Sequence, residues 1–261
     1  MPLLRFAAIV LFLILGACGG GRDAAVPVGA PRVANFGDND PFAWTGRTPQ
    51  SYPVHGIDVA RYQDTIYWDT VRENGVNFAF IKATEGGDRV DPQFDSHWRG
   101  AGSAGVARGA YHFYYFCTTP EVQARWFIEN VPKTKDMLPP VLDLEWNPFS
   151  PTCTLRPPAN TVRSNARAFL SILRDHYGQQ PIVYTTPQFY QENALGQLSG
   201  VEFWLRSTAA HPSEKYPNER WTFWQYSSTG IVPGARGNID LNVFSGSQSD
   251  WANWLATRQI N

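Results

Sequence analysis

Charge is scarce in this chain. Asp, Glu, Lys and Arg supply only 17 % of its 261 residues, and the formal net charge is −1. A nucleic-acid binder is excluded on that ground, because phosphate neutralisation needs a basic surplus or basic clusters. Cysteine is thin too: the three residues are Cys18, Cys117 and Cys153, and none has a His or Cys companion at metal-ligand spacing. The histidines His55, His97, His112, His176 and His211 form no HExxH-type pair. No GxSxG elbow surrounds a serine, and no GxGxxG or phosphate-binding loop follows a strand. No metal and no cofactor is expected.

Long apolar runs are absent as well, except one at residues 6–17. It is shorter than the about 20 residues of a comfortable membrane span and fits the apolar core of a signal peptide. Leu15-Gly16-Ala17-Cys18 resembles the bacterial lipobox, which makes Cys18 a candidate lipid attachment site and residues 1–18 a signal segment. Gly19 offers no aspartate-type inner-membrane retention signal, so the expected location is exported and lipid-anchored, with the outer membrane favoured. Residues 19–51 are rich in Gly, Pro, Ala and Asp without helical or strand period and read as a flexible tether. Residues 52–261 suit one domain with a sizeable core, expected to act as a monomer.

What the domain does have is aromatic residues, 14 % of the chain, and an alternation of elements. Aromatic side chains suit both sugar stacking and core filling. The segments VHGIDVA, NFAFIKAT, RGAYHFYYF, PPVLDLEW and PIVYTT read as strands separated by helical or polar stretches. Thr119-Pro120-Glu121 reads as an N-cap with proline at the first helical position. A long helix over residues 161–177 closes at Gly178. Later strands, VEFWLRS, WTFWQYS and NIDLNVF, follow one another with little helix between them. The pattern predicts an α/β fold, a single TIM-like barrel with its last helices missing, in preference to a doubly wound open sheet.

Inside PPVLDLEWN, a run that reads as a buried strand, stand two acids, Asp143 and Glu145. Alternation by two puts both on one face and Leu144 on the other. Two like charges on a buried face resist ionisation unless cations neutralise them or the pair does chemistry. Asp58, Glu85 and Asp240 also fall at or near strand ends, where α/β barrels gather functional groups. Each has a structural reading: a strand-end cap for Asp58, an ion pair with Lys82 for Glu85, a turn residue for Asp240. Carboxylates in an aromatic setting point to glycoside hydrolysis. If the GAYHFYYF and VLDLEW strands are adjacent and parallel, Cys117 and Cys153 emerge at the same end, and an exported protein would join them by a disulfide.

In order along the chain, HGIDVARYQ, FAFIKATEG, GAYHFY, LPPVLDLEW, IVYTT and WTFWQYS…NIDLNVF resemble glycoside hydrolase family 25, the lysozymes or N-acetylmuramidases. That family cuts peptidoglycan between N-acetylmuramic acid and N-acetylglucosamine on a (β/α)5(β)3 barrel. The resemblance implies that Glu145 is the general acid and Asp143 its catalytic partner, with Asp58 and Asp240 as further site aspartates. It places Lys82, Glu85 and Tyr184 along a saccharide cleft; Tyr62, Tyr111, Trp204 and Gln225 complete the expected substrate-binding set. Peptidoglycan glycan strands are the implied partner. One departure is Arg206-Ser207, where family members commonly have Ala and an aromatic, which bears on subsites near Trp204 and on glycan preference. Same-face neighbours on a strand lie about 6.5–7 Å apart, a spacing associated with inversion. The family is described as retaining; substrate assistance, with Asp143 stabilising the intermediate, reconciles the two. Glu145 is then expected to be protonated at rest, with Asp143, Asp58 and Asp240 raising its pKa. The competing readings are a non-catalytic cell-wall glycan-binding module and a chitin-type glycosidase.

Overall fold

The computed structural model describes residue 28 and residues 30–258; the expected signal run, Cys18 and the start of the tether lie outside the described residues. Strand formation follows period-two apolar patterning with β-branched and aromatic residues. In β3 (Val76–Glu85), Phe78 and Phe80 point one way while Ala79, Ile81 and Ala83 point the other. The first pair packs inside a barrel and the second set packs against helices outside it.

Eight strands close the ring in the order β2 (His55–Val59), β3, β5 (Ala107–Phe113), β6 (Val141–Leu144), β7 (Ile182–Thr185), β8 (Glu202–Arg206), β9 (Phe223–Ile231) and β10 (Ile239–Phe244). Pairings from β2 to β9 are parallel; β10 runs antiparallel to both β9 and β2 and seals the barrel. Two-residue strands β1 (Gly37–Asp38) and β4 (Arg89–Val90) attach to β9 and β3. Helices α1 (Trp68–Glu73), α2 (Phe94–Ser103), α3 (Pro120–Asn130), α4 (Ala159–Tyr177) and α5 (Pro187–Asn193) follow the first five barrel strands, as expected. Only the four-residue α6 (Pro212–Lys215) follows β8, and β9 passes directly to β10. The expected barrel with its last helices missing is the observed one.

Helix α2 was visible in the sequence only as a polar stretch, because Gly100 and Gly102 weaken a helical pattern. Gly100 is required by packing: a Cβ there would lie 2.2 Å from the Trp68 ring of α1. A further helix, α7 (Gln248–Arg258), was not expected. Its Trp251 packs on Phe78, Phe223 and Phe244 and plugs the end of the barrel opposite the strands' C-termini.

The expected tether over 19–51 is corrected from about residue 30 onward. Those residues are a strap laid on the barrel wall that lacks helices. Arg32 exchanges backbone hydrogen bonds with the Asn77 side chain, β1 pairs with β9, and Asp38 accepts from the Thr229 hydroxyl at 2.6 Å. Trp44 meets the outward-facing Trp224 edge to face at 5.1 Å, and Phe36 meets His55. The physical reason is that β9 and β10 have apolar outer faces that no helix among the described residues covers, and the strap supplies the cover.

Candidate active site

Continuing each inward row one step past the packed aromatic layer brings the chain to its polar residues. Asp58 on β2 and Asp240 on β10 are register partners, and Asp143 on β6 pairs in register with Tyr184 on β7, which pairs with Trp204 on β8. Glu145 lies just past β6, on the same side as Asp143, while Leu144 packs outward against the helices. These rows end in a cleft of about 730 Å³ at the C-terminal mouth of the barrel. The four acids line it together with Tyr62, Lys82, Glu85, Tyr111, Tyr184, Trp204 and Gln225. Every residue expected at the site is therefore brought to one place. Trp224, by contrast with Trp204, is buried on the outer face, beneath the strap.

A hydrogen-bond chain fixes the floor. Tyr184 donates its hydroxyl to Gln225 Oε1 at 2.9 Å, and Gln225 Nε2 donates to Asp58 Oδ2 at 2.9 Å. Asn242 Nδ2 donates to the same oxygen at 2.8 Å, while Asn242 Oδ1 accepts from Trp204 Nε1 at 2.7 Å. Trp204 is held further by ring contacts with Tyr184 and Phe80, both at 4.5 Å. Along one wall Lys82 donates to Glu85 at 2.6 Å, so the structural ion pair and the cleft position are both realised. Tyr62, 73 % exposed, and Phe149, 91 % exposed, stand on the rim. The loop carrying Phe149 is tied back by the Cys117–Cys153 disulfide, with Cα atoms 5.8 Å apart, at the same end of adjacent parallel strands β5 and β6.

Burial dominates the electrostatics. It pushes Asp58 up to about 6, against the two amide donors and Arg206, and Asp240 up to about 8, with Asp58's charge adding to the rise. Asp143 is raised by burial and then by the Glu145 charge; its Oδ1 is buried without a hydrogen-bond partner among the described residues. Glu145 is raised by burial first, while Arg206 and Lys82 oppose the shift. Lost hydration is the largest cause, Asp58 adds to the rise as expected of a neighbouring acid, and nearby cations limit it. The arrangement sets two buried carboxyls side by side, both raised and one with an unpartnered oxygen, within a wall of aromatic rings.

Sequence comparison decides the family. The model for Glycosyl hydrolases family 25 matches residues 57–235, about two thirds of the chain. The chain belongs to glycosyl hydrolase family 25. It is a glycoside hydrolase of the lysozyme type. Lysozyme M1 of Streptomyces globisporus is 34 % identical over 203 residues, 74 % of this chain and 68 % of that protein. The Escherichia coli K12 protein YegX is 37 % identical over 209 residues, 77 % of this chain and 73 % of YegX. A solved family 25 glycosyl hydrolase from Bacillus anthracis superposes with a TM-score of 0.74 at 34 % identity, covering 82 % of this chain and 99 % of that one. The family match stops before Asp240, which only the β2–β10 register places opposite Asp58.

Two residues that shape the site were not singled out. Asn242 carried a usable signal, since it follows Asp240 at strand period two and so shares its inward face. Arg156 carried none: it comes from a long loop and stacks on Trp146, a residue of the cleft wall, at 5.0 Å.

Proposed function

We propose that this family 25 enzyme is a muramidase that hydrolyses the β-1,4 bond between N-acetylmuramic acid and N-acetylglucosamine in peptidoglycan, with Glu145 as general acid and Asp143 as the group that stabilises a substrate-assisted intermediate. The observation that carries the reading is Asp143 Oδ1, a buried oxygen with no donor, beside a Glu145 whose burial favours its proton. Leaving such an oxygen unpaired costs free energy that an incoming N–H would recover. The acetamido N–H of the muramyl residue is such a donor.

The proton bookkeeping follows. Burial raises both Asp143 and Glu145, and the Glu145 charge raises Asp143 further, which favours a proton shared by the pair at rest. When the acetamido group donates to Asp143, it favours the Asp143 carboxylate and leaves the proton on Glu145, facing the glycosidic oxygen. Glu145 then protonates the leaving oxygen while the acetamido carbonyl attacks the anomeric carbon. Asp143 balances the positive charge of the resulting oxazolinium-like ring. Glu145, now ionised, takes a proton from the water that opens it. Asp58, tethered through Gln225 and Asn242, holds the floor; Asp240 adds negative field opposite it. The relatives' names, among them Lysozyme M1 and an N,O-diacetylmuramidase, support the wall as substrate. The apolar run and Cys18 support export with a lipid anchor, putting the site on the wall side of a membrane.

The test is to digest purified peptidoglycan with the soluble domain, reduce the products with borohydride and identify the reduced sugar by mass spectrometry. Reduced muramic acid ends are expected, and Glu145→Gln should give none. Reduced glucosamine ends, or turnover confined to chitin oligosaccharides, would replace the muramidase reading with a different glycosidase. Background release from wild type and variant alike would leave a glycan-binding module.

A further inference from the structure

Beside the cleft lies a second recess, of about 430 Å³, reached past Glu145. Glu145, Trp146, Pro148 and Arg206 line both spaces, so the recess adjoins the cleft. Strand register explains the placement. Leu144 pairs with Thr185 and Thr185 with Leu205, so the next residues, Glu145, Thr186 and Arg206, sit side by side at one level. Arg156 closes the far side, its guanidinium over the Trp146 ring.

Two cations therefore face one small space. Among the described residues neither Arg156 nor Arg206 has a carboxylate within ion-pair distance. The acids near Arg206 are Glu145, Asp58 and Asp240, of which Asp58 is already engaged by Gln225 and Asn242, and the acid near Arg156 is Glu192. Glu145 is held toward its neutral form by burial. Glu192 is engaged by Trp146 Nε1 at 2.5 Å and Gln188 Nε2 at 2.8 Å. Neutral sugar rings need no such pair of guanidinium groups, which match carboxylates by geometry and charge.

We propose that this recess is a carboxylate-binding subsite, in which Arg206 and Arg156 hold the acidic arm on the lactyl ether of the muramyl residue. The inference rests on the muramidase reading, because the lactyl arm is what distinguishes a muramyl ring from the glucosamine ring beside it. That arm ends in a free carboxylate, or in a stem peptide bearing carboxylates of its own. It must leave the cleft sideways next to the bond that Glu145 protonates, and the recess opens there. Arg206 and Arg156 are specificity-determining residues in this account; they take no part in proton transfer.

Four oligosaccharide substrates separate the possibilities: muramyl chains with stem peptides, the same chains with peptide carboxyls converted to amides, chains trimmed to the free lactyl carboxylate, and chitin oligosaccharides. Wild type should show a KM at least tenfold lower for the peptide-bearing chains than for their amides, and the preference should shrink as salt rises. Arg156→Gln and Arg206→Gln should each reduce it, and the double variant should treat both substrates alike within twofold. Trimmed chains showing the same arginine dependence would put the lactyl carboxylate itself in the recess; dependence only with the peptide present would put a peptide carboxylate there. An Arg206 that merely balances the site acids would shift the pH profile on Arg206→Gln and leave the preference intact, which overturns the proposal. So does a wild type indifferent to amidation whose turnover of trimmed chains depends on neither arginine. Inactivity of wild type on every muramyl substrate would instead sink the muramidase reading, and this inference with it.

Discussion

Glu145 and Asp143 do different work from neighbouring positions, so replacing each by its amide should separate the roles. Glu145→Gln keeps size and hydrogen bonding but has no proton to give; turnover should vanish while glycan affinity, read by calorimetry, stays within a few fold. Asp143→Asn should lower kcat by on the order of 10²–10⁴, the range for other positioned polar groups. Both substitutions also remove a charge that burial disfavours. At pH 7 each variant should be the more stable protein, by on the order of 1 kcal/mol or about 2–4 °C in Tm. The sign follows from the raised folded-state pKa: protonated at low pH, the wild-type acids cost little there, so the advantage should fade as pH drops toward 4. Variants that melt several degrees lower while retaining activity would show that the acids are structural.

At the scale of elements, legibility tracked the range of the contacts. The β6 alternation, the capping signals of α3 and α4 and the run of late strands were readable because each depends on residues a few places apart. Strand ends and period two located the acids in the same way, whereas the saccharide-lining positions Lys82, Glu85 and Tyr184 came from the family resemblance. The strap was not. Its partners are as far away as Thr229, 191 positions from Asp38, and no period marks it. Its fold contribution can be measured: Trp44→Ala should uncover Trp224 and lower stability by roughly 1–3 kcal/mol, less than a fully buried Trp would cost. An unchanged denaturation midpoint would return the segment to the status of a tether. The disulfide is an element-scale device as well. Closing 36 positions is worth about 3–4 kcal/mol in the chain-entropy model. Cys117→Ser with Cys153→Ser should therefore lower Tm by on the order of 10 °C. It should also raise KM, because the loop that brings Phe149 to the rim loses its tie. Two free thiols in oxidised wild-type protein would remove the basis for both effects.

Across the whole molecule, the buried acids and the buried histidines compete to set the pH of greatest stability. Asp58 titrates at about 6 and Asp240 at about 8 in the folded chain, and the Asp143–Glu145 pair holds a proton above the usual carboxylate range. Near pH 7 the folded state thus binds more protons than the unfolded chain, and each extra proton adds stability of ~1.4 kcal/mol per pH unit of acidification. His55 and His112 work in the opposite sense. Burial lowers both to about 4, so they stay neutral in the fold while the unfolded chain takes up protons below about 6.5. From pH 8 down to about 6.5 the acids act alone and stability should climb. Between about 6.5 and 4 these imidazoles, with the buried His97 that burial lowers in the same sense, offset most of the acids' gain, so the curve should flatten. Below about 4 the unfolded carboxylates protonate too. Asp38 and Glu85, held low by hydroxyl donors and by Lys82, then begin to subtract, and stability should fall. Urea midpoints of the soluble domain should accordingly peak between about pH 4 and 6 and be lower at pH 8. In Asp240→Asn the slope between pH 8 and 6.5 should lessen, while the position of the acid-side decline stays put. A peak at pH 7–8 in wild type, or a slope indifferent to Asp240, would mean that water reaches these carboxyls in solution, and with it the case for a dry, proton-holding cleft would be lost.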